Sequence, residues 1–189
     1  MQELNESTPD MNVKEAAQKG TLKALIEEIL KEHHEPTRSW LDKLETFFSA
    51  AARAVPDRKN IDKLGMAFRS MAMTMHMHME KEEQVLFPMF QRLEDGFNTN
   101  KFCGGIENPV HVMENEHKEL DFHFERFRRI TNNYEVPSDL PGGAELRQLY
   151  DGLLTLEADL KIHSEKEECR LFPAAIALEK LQTNKPANG

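Results

Sequence analysis

Residues 78 to 88 read His-Met-Glu-Lys-Glu-Glu-Gln-Val-Leu-Phe-Pro, and residues 163 to 173 read His-Ser-Glu-Lys-Glu-Glu-Cys-Arg-Leu-Phe-Pro, so one phrase is written twice. Each copy sets a histidine four residues before a glutamate, His78 with Glu82 and His163 with Glu167. On an α-helix, positions i and i+4 share a face. Each copy therefore offers an imidazole and a carboxylate side by side, as a two-ligand claw. A further histidine precedes each claw: His34 lies 44 residues before His78, and His117 lies 46 residues before His163. Imidazole combined with carboxylate suits iron, manganese or zinc, and a mixed N,O set with a spare coordination position is the pattern of non-heme iron.

The elements that must position these groups are long amphipathic helices. From Thr21 to about Ala54 the residues Ile26, Leu30, His34, Leu41, Leu44, Phe48 and Ala51 fall on one face. Pro36 follows His34 and should bend this helix, because proline removes an amide donor and crowds the carbonyl four residues back. His33 points about 100° away from its neighbour on an ideal helix and is the weaker candidate. After a turn at Val55-Pro56-Asp57, a second helix from about Ile61 to Leu93 carries Met71, Met75, His78, Glu82, Leu86 and Met89 inward. Asn108-Pro109 reads as an N-cap followed by proline at the first helical position. Val110, Met113, His117, Leu120, Phe124 and Phe127 follow at spacings of three and four, with His111 and His123 off the stripe. The fourth helix has the cleanest heptad: Leu146, Leu149, Leu153, Leu156, Leu160, His163, Glu167 and Leu171. Both Leu-Phe-Pro endings should kink or close their helices at the same height.

Four such helices predict an all-α, up-down-up-down four-helix bundle over residues 21–181, the architecture whose core holds metal sites of this kind. Residues 1–20 read as a flexible or short-helical arm and 182–189 as a disordered tail. A carboxylate in a leucine-lined core costs several kcal/mol unless it is paired, and two cations sharing two bridging carboxylates resolve that cost. The alternating methionines around His76 and His78 admit a copper(I) reading, since thioethers are soft ligands. Methionine as pliable core filling is the simpler one.

Composition narrows the class further. At 189 residues the length fits one domain with a single sizeable core. Cys103 and Cys169 form neither a C-x-x-C pair nor a disulfide framework, which fits a reducing compartment. A net charge of −9 disfavours nucleic acid and anionic membrane as partners. No signal peptide and no apolar run of membrane-spanning length is present, so a cytoplasmic protein is the default.

The residues resemble the hemerythrin-like, or His-His-Glu, domains, and more closely the di-iron proteins that repair iron-sulfur centres. The resemblance rests on Glu-His-His at 32 to 34, the phrase at 78 to 89, Val-Met-Glu-Asn-Glu-His at 112 to 117, and Asp-Leu-Lys-Ile-His-Ser-Glu-Lys-Glu at 159 to 167 with Leu171-Phe172-Pro173. It implies a non-heme di-iron centre with His34, His78, His117 and His163 as terminal ligands and Glu82 and Glu167 as bridges. It also implies that Glu116 is a supporting or access-channel acid, where helical spacing alone would make it a surface charge. The repair proteins usually carry a fifth histidine after the first helix, where this chain reads Ala-Ala-Arg-Ala-Val-Pro-Asp. One iron should thus be a ligand short: solvent fills the position, a carboxylate such as Asp57 reaches in, or that iron binds weakly. Their cysteine-bearing N-terminal domain has no counterpart in this sequence.

Four functions fit these features. The leading one is a response to nitrosative or oxidative stress by iron handling or iron-sulfur cluster repair, with an iron-sulfur client protein. The others are reversible binding or sensing of O2 or NO without turnover, reduction of peroxide or nitric oxide, and a metal-free scaffold whose histidines hydrogen-bond within the core. Monomer and dimer are both compatible with the sequence.

Overall fold

A computed structural model describes residues 21–97 and 104–184. The expected N-terminal arm, the end of the tail and Cys103 lie outside those residues. All the long elements are helical. α1 consists of Leu22–Ile29, a π turn Leu30–His34 and Glu35–Ala54; α2 consists of Lys59–Lys81, a π turn Glu82–Leu86 and Phe87–Glu94. α3 is Glu107–Thr131, and α4 consists of Gly143–Lys166, a π turn Glu167–Leu171 and Phe172–Thr183. This is the four-helix bundle expected, with α1 packed along α4 and α2 along α3. No helix among the described residues is long and apolar enough to cross a membrane.

The three prolines neither break nor close their helices. Pro36, Pro88 and Pro173 each sit just past a π turn, whose closing bonds run from Glu35 N–H to the Leu30 carbonyl, Phe87 N–H to Glu82 and Phe172 N–H to Glu167. A proline cannot donate to the carbonyl four residues back and crowds it, so the preceding turn widens by one residue and the helix continues. α4 accordingly runs to Thr183, past the boundary expected at 181.

The inserted residue shifts the inward stripe. Ile29 is buried where Leu30 was expected, and Phe90 replaces the half-buried Met89. It also turns two consecutive residues inward, so His33 is buried beside His34. α3 begins at Glu107 with no side-chain cap bond, so Asn108 lies inside its first turn instead of capping it. Thr21 does cap α1, accepting from Ala24 N–H, and the Glu94 carboxylate accepts from the Leu22 and Lys23 amides, tying the end of α2 to the start of α1.

Two apolar layers fill the bundle. One holds Leu41, Leu44, Phe48, Phe68, Met71, Met75, Phe124, Phe127, Leu149, Leu153 and Leu156; the other holds Ile26, Ile29, Phe87, Phe90, Val110, Met113, Phe172 and Ala175. The histidines and glutamates of the repeat occupy the level between them. At the far end α4 starts hard against α1: Gly142 has φ +79°, and a Cβ there would lie 2.5 Å from the Ala54 backbone.

Candidate metal centre

The structure brings all six expected residues together. His34, His78, His117 and His163 are buried, and Glu82 and Glu167 have no exposed surface at all. They form two groups, His34-Glu82-His163-Glu167 and His78-Glu82-His117-Glu167, each with its candidate ligand atoms within 4.8 Å of one another. The two glutamates belong to both groups and divide their oxygens between them. Glu82 Oε2 lies 3.3 Å from His34 Nε2, and its Oε1 lies 3.3 Å from His78 Nε2. Glu167 Oε1 lies 3.1 Å from His163 Nε2, and its Oε2 lies 3.1 Å from His117 Nε2. Each carboxylate thus faces both groups of imidazoles, one oxygen to each, and each group could hold a metal ion.

Several of these atoms are near one another without being bonded to one another. His78 Nε2, His117 Nε2, both oxygens of Glu82 and Oε2 of Glu167 are buried and make no hydrogen bond. Leaving one such atom unsatisfied costs about 1–3 kcal/mol, and here they cluster at one level of the core. Their lone pairs converge on shared centres, which suits cations.

Behind the imidazoles stands a ring of carboxylates. Glu83 Oε1 lies 2.7 Å from His34 Nδ1, Glu116 Oε2 3.1 Å from His78 Nδ1, and Glu168 Oε1 2.8 Å from His117 Nδ1. A carboxylate that accepts the Nδ1 proton leaves the Nε2 lone pair free for a metal and raises its basicity. Arg38 anchors Glu83, and Lys81 anchors Glu116. Glu116 thus pairs with the His78 ring and is not a free surface charge. Glu83 and Glu168 went unread in the sequence although the second glutamate of Lys-Glu-Glu is itself repeated. Asp57 does not reach the centre: it is exposed and accepts from the Lys59 amide.

The charge balance without metal is informative. Burial alone would lower the pKa of His117, but the Glu167 carboxylate facing it, its hydrogen bond to Glu168 and the charge of Glu82 push it up to about 9. Burial would raise the Glu167 carboxyl, yet the facing imidazoles of His163 and His117 hold it well below the usual carboxylate range. The pH sign follows. A folded pKa of about 9, above the unfolded value of 6.5, gives stability that is full below pH 6.5 and lost as pH rises to about 9. Thermal melts of chelator-treated protein should therefore fall in Tm across that interval, while apparent metal affinity rises as the competing proton leaves.

The remaining histidines and methionines separate cleanly. Met71, Met75 and Met79 fill the core, whereas Met73, His76 and Met77 are exposed on the outer face of α2. His111 is exposed and paired with Glu114, and His123 is half-buried. His76→Ala should leave metal content unchanged; a lost ion on elemental analysis would place a ligand outside the core.

A groove of about 260 Å3 between α3 and α4 reaches the centre at His117, past Leu120, Phe124, Leu160, Ser164 and Glu168. It provides a small molecule with an approach from solvent.

Comparison with known proteins agrees with this geometry. The family model described as the hemerythrin HHE cation binding domain matches residues 25–175. The iron-sulfur cluster repair protein YtfE of Cronobacter sakazakii is 33% identical over 166 residues, covering 86% of this chain and 70% of that protein. The protein of the same name from Escherichia coli O1:K1 is 30% identical over 159 residues, covering 84% of this chain and 68% of its own.

Proposed function

Because the chain belongs to the hemerythrin HHE cation-binding family, we propose that it is a cytoplasmic non-heme di-iron protein that acts under nitrosative or oxidative stress by handling iron or repairing iron-sulfur clusters. The observation that carries the reading is the division of oxygens in Glu82 and Glu167, one oxygen to each group of imidazoles, at a buried level of the core. His34 and His163 are the terminal ligands of one iron, and His78 and His117 those of the other.

Bound iron supplies redox chemistry and affinity for a diatomic molecule such as O2 or NO. The protein's own part is to hold the Nε2 lone pairs of His34, His78 and His117 ready through their Nδ1 partners and to keep bulk water out with an apolar layer on either side. The named role of the YtfE relatives, iron-sulfur cluster repair, supports an iron-sulfur protein as client.

The test is cluster recovery. An iron-sulfur protein damaged with nitric oxide is incubated anaerobically with the iron-loaded chain, and its cluster absorption is followed. Recovery with the wild type and none with His78→Ala is the expected result. Equal recovery with free ferrous iron alone would remove the repair role. The groove to His117, lined partly by Phe124, Leu120 and Leu160, also favours reversible binding of O2 or NO, which stopped-flow mixing would reveal as an adduct that dissociates intact.

A further inference from the structure

The two halves of the centre are related by the repeat, and their supports correspond. Glu83 holds His34 as Glu168 holds His117. Glu116, the residue before His117, holds His78. The residue before His34 should then hold His163, and it is His33.

His33 does something different from Glu116. Its ring lies parallel to that of His163, with centroids 5.5 Å apart. Its Nδ1 lies 3.2 Å from Asp159 Oδ1, and Asp159 is one turn before His163 on α4. The Thr37 hydroxyl donates to the other oxygen of Asp159 at 3.5 Å. In the second half, the counterpart of Asp159 is Thr74, which turns back to its own helix and donates to the Ser70 carbonyl. The pair of His33 with Asp159 is therefore an addition to one half only.

That addition leaves a buried lone pair. With Nδ1–H donating to Asp159, Nε2 of the neutral ring is an acceptor. His33 is 4% exposed, and its Nε2 has no hydrogen-bond partner in the protein. A buried polar atom of this kind is ordinarily satisfied by ordered water. The other buried histidines held by a carboxylate at Nδ1, His34, His78 and His117, all direct Nε2 toward Glu82 or Glu167. His33 lies beside the same level of the core but outside the ligand groups whose atoms lie within 4.8 Å of one another.

We propose that His33 Nε2 accepts a hydrogen bond from a water bound to the ion of His34, Glu82, His163 and Glu167, so that solvent at this position is held by a protein acceptor, whereas the twin position, where Glu116 holds His78 instead, has no such acceptor among the described residues. The inference rests on the di-ion reading of the centre. It makes the two ions inequivalent, and His33 a positioning residue for whatever occupies the solvent position.

The test uses the full chain loaded with Mn2+, a paramagnetic ion that speeds the relaxation of exchanging water. Wild type, His33→Phe and His33→Gln are compared. Phe preserves a flat ring against His163 without a nitrogen, and Gln keeps an acceptor. At unchanged ion content, the enhancement with Phe should be at most about half that of the wild type, with substantial recovery in Gln. Equal enhancement in wild type and Phe overturns the proposal and leaves the metal centre intact. Loss of one ion in the Phe variant, with a circular dichroism spectrum and melt like those of the wild type, overturns it in favour of direct ligation by His33. Failure of the wild type to bind Mn2+ or iron at all removes the centre and this inference with it.

Discussion

Replacing Glu167 with alanine should empty both ion positions at once, whereas replacing His34 should empty one. The difference follows from how the oxygens are shared. Glu167 turns Oε1 toward His163 in one group and Oε2 toward His117 in the other, so a single truncation removes a ligand from each ion. His34 belongs to only one group. Elemental analysis of the two variants should read no iron for Glu167→Ala and one iron per chain for His34→Ala. Helix content should survive in both, because the apolar layers above and below the centre are untouched. The imidazoles of His117 and His163 lose their anion in the Glu167 variant and need no compensation once they are neutral. Full iron content in Glu167→Ala would rule out a bridging role.

The second large effect runs opposite to intuition. Above about pH 9, where His117 has lost its proton, Glu82→Leu should raise the stability of the metal-free protein by about 1–3 kcal/mol, while abolishing any stabilisation by iron. Glu82 has no exposed surface, neither oxygen makes a hydrogen bond, and each lies 3.3 Å from an imidazole nitrogen. Desolvating a carboxylate there opposes folding, and leucine of similar volume would continue the packing of Met79 and Leu86 on α2. In the wild type the ion compensates, and stability rises with metal concentration by mass action. Denaturation of both proteins with chelator and with ferrous iron separates the two contributions. A metal-free Glu82→Leu protein less stable than the wild type at that pH would mean that Glu82 serves the fold and not the ion.

Much of this arrangement was legible because its period is simple. The claw needs only a spacing of four, and the heptad of α4 needs only leucines at three and four. What the sequence hid came from departures from the ideal helix. Pro36, Pro88 and Pro173 suggested bends, but local widening to π turns satisfies the same steric demand with less disruption, and it changes which residues face inward near the turn, as with Ile29, His33 and Phe90. His33 is buried for that reason, although it stays outside the ligand groups as the weaker candidate: the 100° step that turns it outward holds for an α-helix and not for the π turn Leu30–His34. Glu83, Glu168 and Asp159 were missed for another. They act across helices, so no spacing within one helix marks them. Asn108 failed as a cap because α3 starts two residues earlier, with Ile106 in the cap position, a margin within which helix ends ordinarily vary.

The most direct test of the di-iron centre is an iron count. The protein would be purified anaerobically without chelator, digested, and its metals measured by mass spectrometry beside its near-ultraviolet absorption. Two irons per chain, with oxo-bridge charge-transfer bands appearing on exposure to air, are predicted. A chain that binds no iron even after anaerobic reconstitution with ferrous salt would contradict the account. So would a wild-type chain that binds only one iron and keeps it in full in both His34→Ala and His78→Ala.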